Sequence, residues 1–214
     1  IKHLLIIGNI FYFTYQCFWG MLYFQPPIIQ KLTNRKVTDV EIKKLTIKYL
    51  NLCKSERTKL TEDKNGIMKV LDFAKIKHEI INQQKLLPKN ICSKNSVDII
   101  SIKPSLFRGF MSKTGILGYY NPFTSEAQYN PNIPSTQLPF TMAHEMSHQL
   151  GFAREQEASF IGFLCAHKSQ IPELRYSANL YALRSLIKAV SYRDKRLAEL
   201  ILKSFSPKMK RDIE

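Results

Sequence analysis

The stretch PFTMAHEMSHQLGFAREQEASF, residues 139–160, decides how the rest of the chain is read. Within it His144 and His148 stand four apart around Glu145. Only a helix gives that spacing meaning, because residues four apart project from one helical face and can converge on a single ion. Pro139 suits a first helical turn, Ser135 or Thr136 can cap it, and Gly151 suits its end. Phe140, Met142 and Met146 supply apolar side chains for burial, so the pattern predicts a short, well-bounded helix.

Imidazole nitrogens bind zinc at ~2.0–2.1 Å, and a catalytic zinc takes three protein ligands while keeping a position for water. In an HExxH pattern the glutamate reaches that water and not the ion. Glu145 is therefore the expected general base, taking a proton from zinc-activated water and passing it to a leaving amine. By chance a chain of this length carries HExxH roughly once in a couple of hundred cases. The bare match is strong, and the residues that follow must settle it.

The pattern HExxHxxGxxH would need histidine at position 154, where Arg154 cannot ligate a metal, so metzincins are set aside. Glu155 and Glu157 remain, on a second helix predicted to begin near Ala153 or Arg154. Glutamate-ligand zinc peptidases carry E-x-x-A-D or E-x-x-A-N there, and Glu155-Gln156-Glu157-Ala158-Ser159 is similar. Glu155 is the first choice as third ligand and Glu157 the alternative. Two residues apart on one helix, they point about 200° away from each other and do not share an ion. Ser159 stands where aspartate or asparagine is usual, which leaves open what orients the histidine.

From Leu4 to Gln30 there is no charged side chain, and Leu4 to Phe24 matches the ~20 residues a helix needs to cross a bilayer. Trp19, Tyr23 and Phe24 sit at its far end, where amphipathic rings prefer the headgroup level, and Pro26-Pro27 stops it. No small-residue cleavage site follows, so the segment is predicted to be an anchor over residues 1–28. Basic residues flank both ends, Lys2 on one and Lys31, Arg35 and Lys36 on the other, so sidedness stays open.

The 214 residues carry 32 Lys and Arg against 17 Asp and Glu, a formal charge of +15. The basic residues are dispersed and not gathered on one face, so no nucleic-acid partner is expected. Cys17, Cys53, Cys92 and Cys165 form no CxxC pair and read as small buried hydrophobes. The chain opens on Ile1 without methionine and ends in SPKMKRDIE, so it is expected to be part of a longer protein, with that basic run a solvated face or the start of further structure.

Between anchor and motif, VTDVEIKKLTIKYLNLCKSE predicts an amphipathic helix capped by Thr38 or Asp39, with Val40, Leu45, Tyr49 and Leu52 inward. IMKVLDFAKIKHEIINQQKLL predicts a second, with Val70, Phe73, Ile76, Ile80 and Ile81 inward and His78 at its edge. VDIISIKP and GILGYYNPFTSEAQYN change to short β-type runs. An edge strand there, just before HEMSH, can hold an extended substrate by main-chain pairing, with Glu126 structural. Beyond the motif, Leu180, Leu183, Leu186, Ile187, Leu197, Leu200 and Ile201 read as core, and His167 as the polar end of the second motif helix.

FWGMLYFQPP, GILGYYNPFTSEAQYN, PFTMAHEMSHQLGFAREQEASF and LRYSANLYAL together resemble the domain-of-unknown-function 3810 family of bacterial membrane proteins, which is zinc-peptidase-like. The similarity spans most of the chain. It implies a membrane region of which this chain keeps the last helix, then a mostly helical, zincin-like domain, and no established substrate. It also implies that Arg175 and Tyr176 line the cleft, the arginine holding a carboxylate and the tyrosine stabilising an oxyanion.

The expected architecture is thus α+β and mostly helical: a transmembrane helix over 1–28, then a zincin-like, gluzincin-type domain over 29–214 with a small sheet beside the HExxH helix. The expected function is a zinc (Zn2+) metallopeptidase in the bacterial inner membrane, acting on a peptide or protein and touching lipid through its N-terminal helix. The alternative is a membrane-tethered regulatory or binding module whose zinc site has no turnover.

Overall fold

The computed structural model describes residues 2–32, 35–92 and 101–213. Along the chain they form α1 (Lys2–Phe18), α2 (Asp39–Arg57), α3 (Phe73–Lys85), β1 (Ile102–Pro104), α4 (Arg108–Thr114), β2 (Gly118–Asn121) and β3 (Glu126–Tyr129). There follow α5 (Leu138–Gln149), α6 (Glu155–Ala166), α7 (Pro172–Ser191), α8 (Lys195–Lys203) and α9 (Pro207–Arg211). The architecture is α+β and mostly helical, with three strands ordered β1-β3-β2; β3 pairs parallel with β1 and antiparallel with β2.

Helix α5 is the axis of the fold. Every residue in it except His144 is buried, against the sheet on one side and α3, α6 and α7 on the others. Its first turn is not capped by Ser135 or Thr136, as the sequence predicts. The cap position is Gln137, and Ser177 of α7 does the work: its hydroxyl accepts from Phe140 N at 3.0 Å and donates to Thr136 O at 2.6 Å. Thr136 Oγ1 reaches Asp212 O instead, and Ser135 Oγ reaches Met68 O. One orphan donor of the helix start, Phe140 N–H, is thus met by a neighbouring helix, which ties α5 to α7.

The apolar N-terminal run is not one continuous helix. α1 ends at Phe18, and short 3-10 turns at Gly20–Phe24 and Ile28–Lys31 follow. No single helix among the described residues is long and apolar enough to cross a membrane; α1 and Gly20–Lys31, bent by 43°, pass that test together by length and composition. Tertiary contacts account for the break. Trp19 lies 5.2 Å from the Tyr120 ring and meets His148 edge-on at 5.6 Å, while Tyr23 Oη donates to Ala153 O. α1 itself buries no residue, with Leu4 74% and Phe13 70% exposed, whereas Ile28 is buried.

Thr38 caps α2 in a reciprocal box with Glu41, but the inward face differs from the predicted one. Val40, Leu45 and Leu52 are exposed and Tyr49 half-buried; Thr46, Leu50, Cys53, Glu56 and Arg57 are buried. Polar residues face inward because each finds a partner: Glu56 accepts from Arg175 Nε at 2.8 Å and Asn179 Nδ2 at 3.0 Å. α3 starts six residues later than its apolar run, at the Asp72 cap, since Met68 pairs with Glu62 in an isolated bridge. Ile76, Ile80 and Ile81 are buried as predicted, while Phe73 is 40% exposed and stacks on Tyr129.

Of VDIISIKP, residues 97–100 lie outside the described residues, and Ile102–Pro104 forms β1. Cys53, Cys92 and Cys165 are buried, but Cys17 is exposed on α1. Leu180, Leu183, Ile187 and Ile201 are core, whereas Leu200 is 54% exposed. The basic C-terminal run folds as α9 with its cations toward solvent, as a solvated face requires: Lys210 is exposed and Lys208 and Arg211 half-exposed, while Met209 and the following Asp212 are buried.

Candidate metal centre

α5 and α6 meet through a tight connection that Gly151 makes possible. Its φ of +95° lies in the region that suits glycine, and it lets the chain reverse just after α5 so that α6 starts at Glu155. His144, His148 and Glu155 then present one ligand atom each, all within 4.8 Å of one another. His144 Nε2 lies 3.1 Å and His148 Nε2 3.6 Å from the Glu155 carboxylate oxygens. Tetrahedral ligands at ~2.0–2.1 Å from one ion stand roughly 3.4 Å apart, so the spacing fits a shared cation.

The far nitrogens of both rings are also engaged. His148 Nδ1 is 2.6 Å from the Phe152 carbonyl, an acceptor only, which assigns the ring proton to Nδ1 and leaves the Nε2 lone pair facing Glu155. His144 Nδ1 is 3.1 Å from Ser159 Oγ. The hydroxyl at 159 thus takes the place that an aspartate or asparagine holds in the pattern, one turn beyond Glu155. Such supporting hydrogen bonds fix ring orientation and are typically worth ~10–100-fold in metal affinity. Ser159→Ala is expected to weaken the binding of a metal ion at this cluster by about that factor with the fold unchanged, as read by competition titration with a metal chromophore.

Burial lowers the His144 pKa to about 4, assisted by the neighbouring His148 and opposed by Glu155. Burial lowers that of His148 as well. Both rings are therefore neutral at neutral pH and free to donate a lone pair. Glu145 behaves oppositely: burial, then the negative charge of Glu155, raises its pKa to about 8. Its Oε2 is buried without a hydrogen-bond partner among the described residues, an uncommon condition for a carboxyl group. Loss of its proton is favoured by positive charge where His144, His148 and Glu155 converge.

Strand β2 lies directly against that carboxyl group. A Cβ added at Gly118 would stand 2.5 Å from Glu145 Oε1, so only glycine lets the strand approach. The site opens into a cleft of about 640 Å³ whose walls include Gly118, Phe140, His144, Glu145, Glu155 and Tyr181.

Other predicted site residues lie elsewhere. Glu157 does not join the cluster: its Oε1 accepts from Ile28 N at 2.7 Å and it pairs with Arg154 at 3.6 Å, tying the N-terminal segment to α6. Arg154 in turn donates to the carbonyls of Tyr23 and Gln25. Arg175 and Tyr176 do not line the cleft. Tyr176 is fully buried, donating to Asp212 Oδ2 at 2.8 Å, and Arg175 is held by Glu56. Glu126 pairs with Lys103, His167 stacks on Phe163, and His78 is exposed. Sequence reasoning did not find Gly118 or the Phe152 carbonyl, since neither carries a side-chain signal. On α7 it also passed over Tyr181, Arg184 and Lys188, which do line the cleft.

The scaffold and the cluster define a class: a helical α+β domain with a two-histidine, one-carboxylate centre that can hold a metal ion, beside a buried second carboxyl group. The particular family follows from comparison. The chain belongs to DUF3810, a family described as proteins of unknown function, whose model it matches over residues 1–214. No curated protein and no solved structure matches it.

Proposed function

We propose that this chain is a membrane-anchored zinc peptidase of zincin-like, gluzincin type, with His144, His148 and Glu155 as ligands and Glu145 as general base. The observation that carries the reading is Glu145 itself: a buried carboxyl group with an unpartnered oxygen, beside the ligand cluster and in the same cleft. A purely structural metal site needs its ligands but no second buried acid, which is costly to leave unpaired.

When bound, zinc supplies a Lewis acid that polarises a substrate carbonyl and makes water acidic near neutral pH. Glu145 takes the proton of the attacking water at Oε2 and returns it to the leaving nitrogen. Phe152 and Ser159 keep the imidazoles turned toward Glu155. β2, at the edge of the sheet, offers its main chain to an extended peptide, with Gly118 beside the base. The unburied apolar α1 favours lipid around it, which supports a membrane-anchored reading, with the bacterial inner membrane as the proposed location.

The test is peptide hydrolysis by the purified full chain in detergent. A zinc chelator is expected to abolish cleavage and added zinc to restore it. Cleavage indifferent to the chelator, or none from protein carrying stoichiometric zinc, overturns the assignment.

A further inference from the structure

Both signs of charge line the cleft. Its acidic side chains, Glu145 and Glu155, are both at the metal centre, while α7 contributes two cations, Arg184 and Lys188. Neither of these makes a side-chain hydrogen bond or ion pair among the described residues, and both are exposed. They are four apart on one helix, so their heads share a face one turn apart. Like charges at that spacing repel, and an anion lodged between them relieves the repulsion. Tyr181, on the same helix, stacks on Phe140 at 4.0 Å between centroids, and Ile116 and Leu117 add an apolar wall.

We propose that Arg184 and Lys188 form a substrate subsite for a carboxylate, so that the preferred peptide places an acidic group against α7 while its scissile bond lies at the metal centre. The inference rests on the peptidase reading for its catalytic consequence, but the binding it describes does not require turnover. The carboxylate has two possible sources, an acidic side chain or the peptide's own C-terminus. Arg184 is the specificity-giving partner of the two, since a guanidinium grips a carboxylate with two parallel N–H donors.

The experiment uses the zinc-loaded full chain in detergent and a fluorogenic peptide series with Glu, Gln or Lys at successive positions, each with a free or an amidated C-terminus. Glu peptides, or free-acid peptides, are expected to be cleaved with kcat/KM about tenfold above their Lys or amidated counterparts. A preference lost on amidation assigns the C-terminal carboxylate; one that survives assigns the side chain. The charge-swapped R184E/K188E chain is expected to reverse the order, and R184Q/K188Q to flatten it. Cleavage without charge preference, or a preference unmoved by both variants, overturns the subsite.

Binding of the same peptides to E145Q, followed by fluorescence anisotropy, separates the two readings. If no peptide is cleaved by any form yet E145Q binds acidic peptides better and loses that with R184Q/K188Q, the subsite stands and the peptidase reading falls. If E145Q shows no charge-dependent binding, the subsite falls.

Discussion

Replacing Glu145 by glutamine is expected to cut peptide turnover by about three orders of magnitude while leaving zinc stoichiometry unchanged. Glu145 is not one of the three converging ligands, so its loss should not release the ion. Glutamine keeps the shape of the side chain beside Gly118 but cannot take a proton. Turnover unchanged in E145Q would instead favour a tethered binding module with a non-catalytic zinc. The substitution has a second readout in metal-stripped protein. The folded-state pKa of Glu145 is raised from an ordinary 4.5 to about 8, so the stability it lends is full below 4.5 and is lost as pH rises to about 8. His144 and His148 act the other way: their pKa values are lowered, and their contribution is present above 6.5 and lost as pH falls, for His144 toward about 4. Between pH 6.5 and 8 the Glu145 slope is therefore the largest among these groups. Metal-free wild type should lose up to about 1.4 kcal/mol per pH unit there, and E145Q markedly less.

Asp212→Ala is expected to be the most damaging substitution for the fold, at about 3–5 kcal/mol. Asp212 and Arg57 are both fully buried at the side chain and joined at 2.5 Å through Nε. The carboxylate also accepts from Arg57 Nη2 at 3.1 Å, Met68 N at 3.1 Å and Tyr176 Oη at 2.8 Å. Removing it strands a buried guanidinium and two further donors, with only Glu62 and the Gly66 carbonyl left to Arg57. Thermal unfolding should show a midpoint lower by on the order of 10 °C, and a change below about 1 kcal/mol would mean the network is solvated in solution.

What was legible in the sequence was what local periodicity encodes. The α5–α6 unit could be read from four-residue spacing, a proline and a glycine, because each acts within one or two helical turns. Which of Glu155 and Glu157 converges with the histidines could not be read locally: Glu157 instead accepts from the Ile28 backbone N–H, a contact made from across the fold. Arg175 and Tyr176 illustrate the same limit. Their partners, Glu56 and Asp212, come from distant parts of the chain, and those bonds draw both side chains away from the cleft. On α2 the apolar periodicity pointed to the wrong face, since buried polar residues there are satisfied by partners that a hydrophobic pattern does not see. The bend in the apolar run was not legible for a related reason, as Trp19 and Tyr23 take their places against Tyr120, His148 and Ala153.

Zinc K-edge X-ray absorption on the zinc-loaded full chain reads the ligand set directly. Two imidazoles and oxygen neighbours at ~2.0–2.1 Å, with no sulfur, are expected, and one imidazole fewer in His148→Ala. A chain that holds no equimolar zinc, or a spectrum with sulfur ligands or without paired imidazoles, would contradict a centre built from His144, His148 and Glu155.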